Sequence, residues 1–337
     1  MKNKSIPYGL VFLSIALLFV WSCADDVERP VFPLSAEIFH SVDGKQVAFT
    51  ALTHSATSWQ WDFGDGNTST EKDPVYVYEE GGYYIATLTA TDNAGNTETS
   101  QVKLALELTP YSLLTGDHTA EGYQGKTWKL TAAHPPEDKL ANANLEFTYA
   151  TDVEELPTGA FDLYLGIGEI YDDEFTFYYD GSYGHDVKED GATFAGLLYA
   201  SVLAQAGGTT ITKTTGELIA GADIFAITTY SPEAGATFVF NEKEDLTIPA
   251  LPDFANGMHP AGFPILTYSD VMTIDFPNST EFIGVMDFQR KVLVQEITEN
   301  TMRLAMFMTL DPAAVVSWDP LVPLSTTALV LTFEVVK

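Results

Sequence analysis

Rings and carboxylates carry most of the chemistry this sequence offers. Tyr171, Tyr178, Tyr183, Tyr199, Tyr230, Tyr268 and Trp318 lie in its C-terminal part, and acid runs such as Asp172-Asp173-Glu174 stand beside some of them. An exposed ring can pack against the apolar CH face of a pyranose while nearby carboxylates and amides bond its hydroxyls, provided the site is rigid and faces outward. On a strand through Glu174–Tyr179, residues 175, 177 and 179 share one face, so Tyr178 falls on the other and points to solvent. Trp318, between Val-Val-Ser and Asp319-Pro320, reads as a loop ring. Tyr178, Trp318, Tyr183 and Tyr230 are the glycan-binding candidates, and Trp128, mid-strand, is assigned to the core.

The same acids admit two other uses. Asp172, Asp173, Asp180 and Asp186 surround a turn and could chelate a structural calcium ion. A glycoside hydrolase needs two carboxyl groups about 5–9 Å apart across the scissile bond. Asp152-Val153-Glu154-Glu155 and the Asp172/Glu174 pair are the candidates, although no Glu-x-Asp-x-x-Glu run occurs. Six scattered histidines signal no zinc site, and there is no Gly-x-Ser-x-Gly elbow, P-loop or Gly-x-Gly-x-x-Gly fingerprint. No catalytic residue is assigned and no organic cofactor is expected.

With 16 Lys+Arg against 47 Asp+Glu, the formal charge is −31. Phosphate backbones would be repelled, so nucleic acid is not an expected partner, and a neutral glycan suits the charge better than an acidic polysaccharide. The 46% hydrophobic content is ample for packed cores.

Lys2, Lys4 and the apolar Leu10–Val20 run have the form of a signal segment, too short for a spanning helix of roughly 20 residues. The only cysteine, Cys23, comes just after it, so no intramolecular disulfide can form. Val20-Trp21-Ser22-Cys23 resembles the bacterial lipobox, which implies that Cys23 is acylated and becomes the mature N-terminus. Asp25 and Asp26 resemble the export tag of Bacteroidota surface lipoproteins. The implied location is the exterior of the outer membrane, held by the lipid anchor alone. The alternatives are an ordinary secretory signal with a chance cysteine, an uncleaved anchor and, for the aspartates, a plain solvated linker.

Four elements position a first domain. Val47–Ala51, Trp59–Phe63, Tyr84–Ala90 and Gln101–Leu106 alternate, with Asp65-Gly66 and Asn93-Ala94-Gly95 as turns, a pattern that predicts an antiparallel sandwich. Trp61-Asp62-Phe63-Gly64-Asp65-Gly66, Asp73-Pro74 leading to Tyr78, and Gly82-Tyr83-Tyr84 with Leu88 and Thr91-Asp92 resemble the PKD (polycystic kidney disease) domain family over residues 34–107. Tyr76-Val77 stands where that family often has a histidine before Tyr78. The resemblance implies a seven-stranded immunoglobulin-like sandwich, used as a spacer or interaction module. Its aromatics are read as core and Asp62 and Asp65 as turn residues.

The chain thus divides into a signal (1–22), a lipidated tether (23–33), the PKD domain (34–107), a linker (108–124) and a second β-sandwich (125–337). Strands are predicted at Glu174–Tyr179, Ser182–His185, Asp223–Thr229, Thr237–Phe240, Val271–Phe276, Lys291–Ile297, Met302–Met308 and Ala328–Val336, with an amphipathic helix in Ala192–Gly208 and an extended loop at Pro249–Pro264. Gly125-Lys126-Thr127-Trp128, Tyr171–Phe177 leading into Asp180-Gly181-Ser182-Tyr183, and Glu281–Val285 before Val292–Ile297 resemble the C-terminal domain of PKD-bearing surface lipoproteins of starch-utilization-like glycan uptake systems. That resemblance implies an all-β protein with a carbohydrate-binding-module-like, lectin-like second sandwich, working beside an outer-membrane TonB-dependent transporter. A hydrolase on the same scaffold and a structural or adhesive surface protein are the competing readings.

Overall fold

The computed structural model describes residues 32–145, 156–215, 223–250, 265–277, 279–318 and 321–337. The signal, Cys23, Asp25, Asp26, Asp152-Val153-Glu154-Glu155 and most of the Pro249–Pro264 loop lie outside the described residues. Contacts divide the chain into two compact units, the larger built mainly from Lys103 to Lys337. Among the described residues no helix is long and apolar enough to cross a membrane.

The N-terminal part holds seven strands: β1 (Ser35–Asp43), β2 (Gln46–His54), β3 (Ser58–Asp62), β4 (Thr68–Ser69), β5 (Val75–Val77), β6 (Gly82–Thr91) and β7 (Thr97–Leu106). They form two sheets, β1-β2-β5 and β4-β3-β6-β7. Alternation places Val47, Phe49 and Ala51 of β2 and Ala86, Leu88 and Ala90 of β6 inside, with Trp61, Phe63 and Tyr78. Trp61 is fully buried, 5.1 Å from Phe49 ring to ring, and its indole N–H donates to the Lys72 carbonyl. These aromatics are core, as expected. Asp62 accepts from the Gly64 N–H, and Asp65 from the Asn67 N–H and the Tyr76 hydroxyl, so both carboxylates brace turns.

The second unit is a nine-stranded antiparallel sheet with a three-stranded sheet packed over one face. In chain order its strands are β8 (Lys126–Leu130), β9 (Lys139–Asn142), β10 (Glu174–Phe177), β11 (Tyr183–Asp186), β12 (Ala192–Gly196), β13 (Ile211–Thr214), β14 (Phe225–Thr229), β15 (Val239–Pro249), β16 (Ile265–Asp275), β17 (Val292–Ile297), β18 (Thr301–Met308), β19 (Val315–Trp318), β20 (Leu321–Pro323) and β21 (Thr327–Val335). The large sheet runs β11-β10-β8-β21-β18-β17-β16-β15, with β9 also on β21; β12-β14-β13 is the cover, and β19-β20 a separate ribbon.

Its central strands bury both faces. On β18, Met302, Leu304, Met306 and Met308 enter the core shared with Phe194, Phe225 and Ile227 of the cover, while Ala305 and Phe307 enter a second cluster with Leu246, Ile248 and Val330. This explains why 304–308 and 328–331 read as unbroken apolar runs rather than alternating ones.

Several segments differ from expectation: β15 and β16 run longer than the strands read at Thr237–Phe240 and Val271–Phe276, and two other segments change assignment. Ala192–Gly208 is strand β12 and then a helix, Leu197–Gln205: Ala192–Gly196 pairs with β14, and helical spacing governs only the residues after Gly196. The 108–124 stretch holds a helix, α1 (Pro110–Thr115), capped by the Thr109 hydroxyl on the Ser112 N–H and opened by Pro110. Leu114 is fully buried, and its carbonyl accepts the Trp128 indole N–H at 3.0 Å. The stretch therefore belongs to the second unit's core. With α2 as Ala160–Leu165, the helix after β12 is α3.

Candidate functional site

A cleft of about 300 Å³ opens in the second unit where α3, the end of β14 and the loop after β16 meet. Tyr199 and Leu203 come from adjacent turns of α3, four residues apart and so on one helix face. Thr229 ends β14 and Tyr230 comes next; Thr280, Met286 and Arg290 come from the loop before β17. Tyr199 and Met286 are buried in a small cluster with Phe282, against which Tyr230 and Phe288 pack. The cleft is thus lined by aromatic and apolar side chains, Tyr199, Leu203, Tyr230 and Met286, and by Thr209, Thr229, Ser231 and Thr280, of which Thr209 and Thr280 already donate their hydroxyls within the protein.

Hydrogen bonds hold these groups in place. The Tyr230 hydroxyl donates to the Thr280 carbonyl at 3.3 Å. Arg290 donates through Nη2 to the Tyr199 hydroxyl at 2.7 Å and through Nη1 to the Ser279 carbonyl at 3.2 Å. Burial, with the nearby Glu281 charge, raises the Tyr230 phenol well above its ordinary range. Tyr230 is a neutral donor at any physiological pH.

Beneath Tyr230 lies a buried acid–histidine–acid row. His185 Nδ1 is 3.1 Å from Glu281 Oε2, and its Nε2, which has no hydrogen-bond partner, is 4.0 Å from Asp173 Oδ2. Glu281 is fully buried, and Asp173 accepts from the Thr193 hydroxyl. Burial opposes charge on His185, yet the two carboxylates raise its pKa overall. Burial raises Asp173 too, against the Thr193 hydrogen bond and the nearby His185. The Tyr230 ring lies 5.3 Å from the His185 ring, so the row supports the cleft lining.

The sequence-derived site residues scatter. Tyr230 lines the cleft. Tyr183 does not: it is 5% exposed, packs on Phe177 and Phe276, and donates its hydroxyl to the Phe282 carbonyl. The register Phe177↔Tyr183 sets it on the buried face of the hairpin. Tyr178 is half-buried beyond the end of β10 and lies over Gly125 and Gly184, whose missing β-carbons leave it room. Tyr179, which parity placed inward, is 43% exposed and stacks on His118 at 3.6 Å, because the strand ends at Phe177 and alternation ends with it. Trp318 ends strand β19, paired with Leu321, rather than lying in a loop.

The four calcium candidates do not converge. Asp180 caps Ser182, Asp186 binds Lys188, and Asp173 is taken by Thr193 and His185. Among the described residues no three His, Cys, Asp or Glu side chains are placed to hold a metal. Asp172 lies in the cap of a short 3-10 turn while Glu174 opens β10 and pairs with Lys188, so the two do not share a strand face. They line a separate depression with Tyr171, Lys129 and Asp190.

Sequence reasoning counted Tyr199 among the rings without selecting it and passed over Arg290. The signal available was rarity: Arg29, Arg290 and Arg303 are the only arginines of the chain.

Fold and sequence together define an all-β protein in which a PKD domain precedes a larger β domain. Residues 30–105 match the PKD domain family. Over 56 residues the chain is 45% identical to the pre-pro-metalloprotease PrtV of Vibrio cholerae serotype O1, covering 17% of this chain and 6% of that one. Over 67 residues it is 39% identical to collagenase ColA of Bacillus cereus, covering 20% and 6%. The chain thus spans only a small fraction of these relatives, and what they share with it is the PKD segment. Among solved structures, the PKD1 domain of Vibrio anguillarum Epp aligns with 23% of this chain and 98% of its own at 30% identity and a TM-score of 0.22. A structure of carbohydrate-binding modules from the β-sandwich superfamily aligns with 91% of this chain and 92% of its own, at 15% identity and a TM-score of 0.24.

Proposed function

We propose that this protein is a non-catalytic surface lipoprotein, acylated at Cys23 on the outer face of the outer membrane, whose second unit binds a saccharide for a transporter-linked uptake system. Its PKD domain serves as a spacer. The observation that carries the binding role is the cleft, lined together by the Tyr199 and Tyr230 rings and Met286 and by threonine and serine side chains. A pyranose needs those two surfaces together, an apolar platform and a ring of hydrogen-bonding groups. The Tyr230 hydroxyl, its proton given to the Thr280 carbonyl, offers acceptor lone pairs at the platform's edge.

Affinity electrophoresis of the full-length protein through glycan-loaded gels, with reducing ends assayed in parallel, tests the reading. Retardation without product is expected, and Tyr230→Ala should abolish the retardation while leaving the protein folded. Release of reducing ends would establish the hydrolase alternative. No retardation by any glycan would leave the adhesive one.

A further inference from the structure

Arg290 is held differently from the other described arginine. Arg303 sits between Glu137 and Glu296, at 3.4 and 2.7 Å. Arg290 instead has two neutral acceptors, the Tyr199 hydroxyl and the Ser279 carbonyl, and no ion pair among the described residues. In a chain with 47 acids against 16 Lys+Arg, this half-buried guanidinium makes no ion pair among the described residues, although the Glu233 carboxylate is near enough to feel its charge. The nearby acids are engaged elsewhere. Glu233 Oε2 accepts from the Ser279 hydroxyl and from the N–H and hydroxyl of Thr280, while Glu281 accepts from His185 and the Glu233 N–H. A guanidinium has five N–H donors; two are used here, one on each Nη, so three remain for a carboxylate to accept from.

We infer that the cleft recognises a carboxylate-bearing sugar, a uronate residue seated against the Tyr199 and Tyr230 rings with its carboxylate on Arg290. This rests on the saccharide-binding reading above and refines it, replacing the neutral glycan that net charge alone suggested. Net charge acts at long range and opposes a polymer dense in charge. A single carboxylate in direct contact answers to its local partner, because fields are screened beyond about 8 Å at physiological ionic strength. The ligand is therefore sparsely charged, with an isolated or terminal uronate rather than a continuous polyuronate.

The test uses the full-length protein in detergent and matched oligosaccharides, each uronate-capped in one form and carboxyl-reduced to the neutral sugar in the other, measured by titration calorimetry. The uronate form should bind at least about tenfold tighter than its reduced twin, the scale of a charge-assisted pair. Arg290→Gln should erase that difference, and Arg290→Lys, which keeps charge but not the guanidinium, should restore only part of it. The wild-type comparison of twins needs no variant, so it stands even if a substitution disturbs Tyr199. Equal binding of both twins would overturn this inference and leave saccharide binding intact. Binding of neither would overturn both.

Discussion

Nδ1 of His185 lies 3.1 Å from Oε2 of Glu281, and both side chains are buried, with the Asp173 carboxylate 4.0 Å from the other ring nitrogen. Two acids in a core are tolerable here because a cation can stand between them. The arrangement links the hairpin of β10 and β11 to the loop that carries Arg290, so it sets the geometry of the cleft from below.

His185→Ala should therefore cost more than a lost contact. Breaking a buried charge pair by removing one partner typically costs about 3–5 kcal/mol, since the remaining charge stays desolvated. The histidine's folded pKa is raised above its ordinary 6.5, so its contribution is fully present below 6.5 and is lost as pH rises through the folded value. Denaturant titrations of wild type and variant across pH 5–9 should show their difference largest at the acid end.

Asp287 makes a second pH-dependent contribution of the same sign. It is fully buried; its Oδ1 accepts from the Phe288 and Thr309 N–H groups, while Oδ2 has no partner. Burial pushes its pKa up from 3.8 to about 7. The folded state therefore holds a proton that the unfolded chain releases; this stabilisation is complete below pH 3.8 and fades as pH rises to about 7. Asp287→Asn keeps both Oδ1 bonds and should be more stable than wild type at pH 8, by a few kcal/mol at order of magnitude. Thermal melts at pH 5 and 8 would show a smaller acid-to-base drop for the variant.

Gly284 has φ +77°, and a β-carbon there would come within 2.5 Å of Met306 Sδ and 2.8 Å of Phe333. Gly284→Ala combines a left-handed backbone with overpacking and should cost roughly 2–4 kcal/mol. Urea denaturation monitored by circular dichroism would measure the loss.

Trp61→Ala should open the PKD core at a cost of about 3–5 kcal/mol. Hydrogen exchange gives a local reading: faster exchange is expected in β2, β3 and β6, where Phe49 and Leu88 pack with Trp61 in the core.

The PKD domain was legible because its signals are local. Gly64, Gly66 and Gly95 all have positive φ in the turns where the sequence asked for it, and one buried face per strand preserves alternation. The second unit hid more. Met302–Met308 was legible as a strand, but burial on both faces hid which core each residue enters; β12 and α3 lie so close in the chain that one apolar, alanine-rich run covers both periods. Tyr183 needed the hairpin register, which its own neighbours do not reveal. The cleft was least visible, since Tyr199, Tyr230 and Arg290 come from three distant segments and meet only when the small sheet closes over the large one.

The bond from Trp128 to the carbonyl of Leu114 also bears on where the chain can be cut. Lys126 Nζ reaches the Leu113 carbonyl at 2.5 Å, so two donors at the start of β8 meet acceptors at the end of α1. A fragment begun at Gly125, where the compositional break suggests a border, would leave an indole N–H stranded in hydrocarbon and strip away the residue that seals it. A fragment that keeps both bonds starts before Thr109, and recombinant work on the cleft should begin no later than there.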